Sequence, residues 1–88
     1  MQDITIKFSN KAEKQFRKLD LKIVDKFHRQ VKFLLVDKSH PSLGLKKVKG
    51  SDVFEARIDY HNRFTFIVEE KTLWILSIGP HDEGLGKK

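Results

Sequence analysis

Ile4, Ile6 and Phe8 alternate with Thr5 and Lys7, the period of two that marks a strand with one buried face. The period then lengthens. Ser9 and Asn10 offer side-chain oxygens for a helix N-cap, and Asn10 followed by Glu13 has the spacing of a capping box. Ala12, Phe16 and Leu19 recur at helical intervals, which predicts a short helix of about two to three turns. Asp20 can cap a second helix, whose apolar stripe is Val24, Phe27, Val31, Leu34 and Leu35. Helices joined this closely are expected to pack as an antiparallel hairpin.

Residues 39–51 hold Pro41, Gly44 and Gly50, and read as a loop that carries Lys46, Lys47 and Lys49. Beyond it the period of two returns. Phe54, Ala56 and Ile58 point one way, with Glu55, Arg57 and Asp59 the other. A turn at residues 60–62 leads into a strand in which Phe64, Phe66 and Val68 alternate with Arg63, Thr65 and Ile67. After residues 69–71, the nearly all-apolar run 72–78 should be the most buried strand. The predicted order is β-α-α-β-β-β, an α+β domain: an N-terminal strand, a two-helix hairpin, then a three-strand antiparallel meander. The hairpin should cover one face of a single, largely antiparallel sheet, burying Phe54, Ile58, Phe64, Phe66 and Trp74 against Phe16, Phe27, Val31 and Leu34. The other face should be polar.

With 88 residues and 39% hydrophobic content, the pattern has room for one core, so residues 1–88 read as one domain. Eighteen Lys and Arg against twelve Asp and Glu leave a net charge of +6, a field that attracts polyanions such as nucleic acid. There is no cysteine, which excludes a disulfide framework and a thiolate metal site and fits a cytoplasmic location. Residues 1–8 lack the apolar region of a signal peptide, and no run approaches the ~20 apolar residues that span a bilayer. Neither processing nor a membrane partner is expected.

Charge changes the picture most on the polar sheet face. Arg57 and Arg63 should lie on neighbouring strands near a short turn, both pointing away from the core. Two guanidiniums held together suit an anion between them, and their forked donors match a phosphate. Glu55, two residues from Arg57, could be that anion instead, which would make an ordinary surface ion pair. Lys46, Lys47 and Lys49 precede the Arg57 strand and can rim the same concavity, or act only as solvated charge. His81 follows Gly79 and Pro80 at the end of the last strand, where an imidazole can deliver a proton. No HxxxH or HxH spacing, Gly-rich phosphate loop or nucleophile triad occurs, so neither metal nor cofactor is expected.

Taken together, the segments Phe8-Ser9-Asn10-Lys11-Ala12, Val53-Phe54-Glu55-Ala56-Arg57-Ile58, Asn62-Arg63-Phe64 and Ile78-Gly79-Pro80-His81 resemble the RelE/ParE toxin superfamily over nearly the whole chain. The resemblance implies the toxin of a type II toxin-antitoxin system, with a cognate antitoxin as protein partner. It further implies a metal-independent endoribonuclease that cleaves mRNA on the ribosome by attack of the ribose 2′-hydroxyl on the adjacent phosphate. By the same resemblance, Arg57 and Arg63 are the phosphate-binding arginines and Lys46, Lys47 and Lys49 contact RNA. His81 then stands where relatives carry a terminal Arg, Lys or His. Glu55 and the loop lysines are both open as general base. One departure is plain: the tail after His81 has no aromatic residue, and Leu85 stands nearest the place where active relatives carry Tyr or Phe. A ParE-like gyrase poison and a catalytically inactive RNA-binding homologue are the alternatives.

Overall fold

The computed structural model describes residues 4–80. The elements follow the predicted order with one addition: β1 (Thr5–Phe8), α1 (Asn10–Arg17), α2 (Leu21–Val36), β2 (Lys46–Lys47), β3 (Phe54–Arg57), β4 (Asn62–Glu69) and β5 (Thr72–Pro80). A single 3₁₀ turn, Pro41–Leu43, stands between α2 and β2. β2 is the addition. It spans two residues inside the stretch expected to be loop, too short to leave a periodic signal.

The five strands form one sheet in the order β1-β5-β4-β3-β2. β2, β3, β4 and β5 pair antiparallel as a meander, but β1 joins β5 in parallel, from Thr5↔Thr72 to Phe8↔Ile75. The sheet is therefore mixed. Alternation along a strand fixes which face is buried, and carries no information about the neighbour or its direction.

Ser9 is the N-cap of α1, in place of the expected Asn10 capping box. Its hydroxyl accepts from the Ala12 amide at 3.0 Å and donates to the Leu76 carbonyl at 2.8 Å, so one atom starts the helix and fastens it to β5. Asp20 caps α2 as the sequence predicts, accepting from the Ile23 amide at 3.1 Å. The helices cover the sheet face formed by Ala56, Phe64, Phe66, Leu73, Ile75 and Ile78, all buried. Phe27 is the hub. Its ring lies 5.2 Å from Phe64, 5.7 Å from Phe16 and 6.1 Å from Phe8, and burying one such side chain contributes about 1.5–3 kcal/mol.

Two core expectations are corrected. Leu35 is 46% exposed, because Gln30 and Val31 take the inward positions of α2. Trp74 is only half-buried and lies on the face opposite the helices, since Leu73 and Ile75 on either side of it point into the core. A bulge in β5 complicates the reading: Thr65 pairs with Ser77 but Phe66 with Ile75, leaving Leu76 as the extra residue. Among the described residues, no helix is long and apolar enough to cross a membrane.

Candidate functional site

The turn between β3 and β4 sets the register of the site. The Asp59 carboxylate accepts from the amides of His61 (2.9 Å) and Asn62 (2.8 Å) and from the Asn62 side-chain amide (3.1 Å). The Ile58 amide closes the hairpin by donating to the Asn62 carbonyl at 2.8 Å. Burial works to raise the Asp59 pKa, but these hydrogen bonds and nearby Lys26 outweigh it and hold the carboxyl below its ordinary value. With the turn fixed, Arg57 falls directly opposite Arg63, and Glu55 opposite Thr65.

Arg57, Arg63 and Glu55 thus share the face away from the helices. Directly opposed like charges are unfavourable. Glu55 offsets them. Its carboxylate is 1% exposed and lies 3.8 Å from the Arg63 guanidinium and 3.7 Å from the Lys46 ammonium, which β2 brings across from it. Beneath the cluster, the Thr65 and Ser77 hydroxyls meet at 2.6 Å. The face can present two guanidiniums and an ammonium around one buried carboxylate.

Arg57 is held by residues that sequence reasoning missed. Gly44 has a left-handed φ of +52°, and a Cβ there would stand 3.1 Å from the Arg57 Nη2, so the guanidinium lies against bare backbone. Gln30, 5% exposed, donates from Nε2 to the Arg57 carbonyl at 2.9 Å and to the Ser42 carbonyl at 3.1 Å. His40 fixes the same turn: its Nδ1 accepts from the Ser42 amide at 3.2 Å while its ring stacks on Phe33 at 3.9 Å. A polar residue at an inward helix position was the one visible signal, in Gln30.

Of the three loop lysines, the register brings only Lys46 onto the arginine face. Lys47 pairs with Phe54 and so belongs to the helix side, and Lys49 lies in the exposed turn between β2 and β3, at the sheet edge. His81 lies outside the described residues. Among the described residues, no group of three or more His, Asp or Glu side chains could hold a metal ion.

Sequence comparison finds no matching family model and no matching curated protein. Structural comparison does find likenesses. The YoeB dimer structure from Staphylococcus aureus is 21% identical with a TM-score of 0.76, over 89% of this chain and 97% of that one. A YoeB/ParE toxin from Agrobacterium tumefaciens is 14% identical with a TM-score of 0.77, over 89% and 99%. The RelE of an archaeal RelE-RelB complex from Pyrococcus horikoshii OT3 is 19% identical with a TM-score of 0.70, over 88% and 93%. The fold is that of the RelE/ParE toxins. The RelE-like fold agrees with the architecture read from the sequence, the mixed sheet apart. At these identities the likeness is one of fold, and the chemistry of the face rests on its own residues.

Proposed function

We propose that the chain is the toxin of a type II toxin-antitoxin pair and cleaves mRNA, with the ribosome as the place of action. The observation that carries this reading is the Arg57↔Arg63 pair on an open sheet face, with Lys46 beside it and Glu55 beneath. Arg57 and Arg63 grip the scissile phosphate and stabilise the charge that builds on its oxygens. The 2′-oxygen attacks phosphorus, the bond to the 5′-oxygen breaks, and the products are a 2′,3′-cyclic phosphate and a 5′-hydroxyl. Glu55 as carboxylate, or Lys46 once it has given up its own proton, can take the 2′-hydroxyl proton beside Arg63, and His81 supplies one to the leaving 5′-oxygen. A cognate antitoxin, acidic or amphipathic, is the proposed protein partner, in keeping with the net charge of +6 and with the RelE-RelB complex.

The deciding experiment adds the protein to translating ribosomes and to gyrase in parallel. Cleaved mRNA with 5′-hydroxyl and cyclic phosphate ends is expected, with supercoiling unaffected. Loss of supercoiling with intact mRNA would replace this reading by the gyrase one.

A further inference from the structure

The residue displaced from the predicted core opens onto the arginine face. On β4, Arg63, Thr65 and Ile67 follow one another on the side away from the helices, with no irregularity in that strand. Trp74 pairs with Ile67, and Lys7 pairs with Trp74 from β1. Arg57, Arg63, Ile67, Trp74 and Lys7 therefore share one surface. Four residues along a strand and one strand across place Trp74 about 14 Å from Arg63.

The local chemistry suits a nucleobase. Trp74 is half-buried, so its indole is anchored and yet accessible. The Lys7 ammonium lies 5.6 Å from the centre of its ring, close enough for a cation–π contact and free to meet a phosphate. Trp74 and Lys7 also border an open hollow of about 610 Å³ at the β1 edge, shared with Phe8, Phe16 and Arg17. Arg17, which also borders the hollow, is paired with Glu13 at 2.9 Å. An aromatic platform flanked by cations is how a protein holds single-stranded nucleic acid without reading its sequence.

We infer that Trp74 is a stacking subsite for an unpaired RNA base, with Lys7 on the adjoining phosphate. The base sits a few nucleotides from the phosphate gripped by Arg57 and Arg63. This inference rests on the ribonuclease reading for the identity of the ligand. An acidic protein segment would answer the charge but not the indole.

Trp74 is the one tryptophan of the chain, so its fluorescence reports this place alone. Oligoadenylate of ten nucleotides should quench it on binding, whereas inorganic polyphosphate, which has charge and no bases, should not. Trp74→Leu should weaken oligoadenylate binding by about 5- to 150-fold, and Trp74→Phe should restore most of the loss. The fluorescence arm uses the unaltered chain and so stands even if a variant fails to fold. Equal quenching by polyphosphate, quenching by polyglutamate but not by RNA, or tight RNA binding with neither quenching nor loss in Trp74→Leu, would each overturn the subsite. Cleavage of mRNA on ribosomes without any of these signals would overturn the subsite and leave the ribonuclease reading standing. No cleavage and no RNA binding would remove both.

Discussion

At the scale of single residues, the arginine face depends on a glycine and a buried carboxylate. Gly44→Ala should cost about 1–2 kcal/mol for a left-handed backbone, and more because the new Cβ presses on the Arg57 guanidinium. Urea unfolding of Gly44→Ala alone and in an Arg57→Ala background separates these two contributions, and the second should vanish when Arg57 is gone. Glu55 is tested differently. Glu55→Gln removes the buried carboxylate that faces Lys46 and Arg63, and because the Lys46 ammonium left behind is solvent-exposed the loss should stay below about 3 kcal/mol, the lower end for breaking a buried pair. Glu69→Gln, at the exposed end of β4, should stay within about 0.5 kcal/mol. The proposed role of His81 is one of chemistry rather than stability. His81→Gln should lower single-turnover cleavage by about 10²- to 10⁴-fold with ribosome affinity intact, whereas Arg63→Ala should lower both.

At the scale of elements, caps and turns decide where each segment begins and how it is joined. Asp20→Ala removes one capping bond and should cost about 1 kcal/mol by chemical denaturation. Ser9→Ala removes a cap and a tie to β5 together and should cost about 2 kcal/mol. Asp59 gives the β3–β4 turn a pH dependence. Its pKa in the folded chain lies below the ordinary 3.8, so its contribution is whole above that value and is lost as pH falls through the folded one. The stability gap between the parent and Asp59→Asn should therefore shrink on acidification; a gap that widened would contradict the hydrogen-bonded turn. These elements also show what the chain discloses in advance. The order of strands and helices, the Asp20 cap and the shared face of Arg57 and Arg63 were legible, because periodicity and turn chemistry are local. Trp74 was misplaced because in the apolar run 72–78 every residue looks buried, and only the pairing with Lys7 and Ile67 shows which face it takes. The direction of β1, the separation of Lys46 from Lys47 and the Gln30–Arg57 clamp all arise from residues far apart in the chain, where local pattern has no purchase.

At the scale of the whole molecule, Arg57, Arg63, Lys46 and Lys7 share one face of the sheet. If RNA lies across Arg57, Arg63, Lys46 and Lys7, four cations at about 0.7 each give a slope of about −3 in log affinity against log salt. Lys46→Ala should reduce that slope by about 0.7, and Lys47→Ala, on the helix side, should leave it unchanged. Equal effects from the two lysines would mean that RNA wraps the sheet edge instead. The placement of β1 beside β5 bears on assembly as well as on shape. The Ser9 hydroxyl and the Leu76 carbonyl that it binds are 67 positions apart, and among the described residues β5 is the one sheet neighbour of β1. High contact order of this kind makes folding wait on the closure of a long loop. A nascent chain stalled before Thr72 has the strand, both helices and the first hairpin but nowhere to seat β1, so limited proteolysis should digest it readily. Once β5 has left the exit tunnel, the same protease should meet a resistant domain.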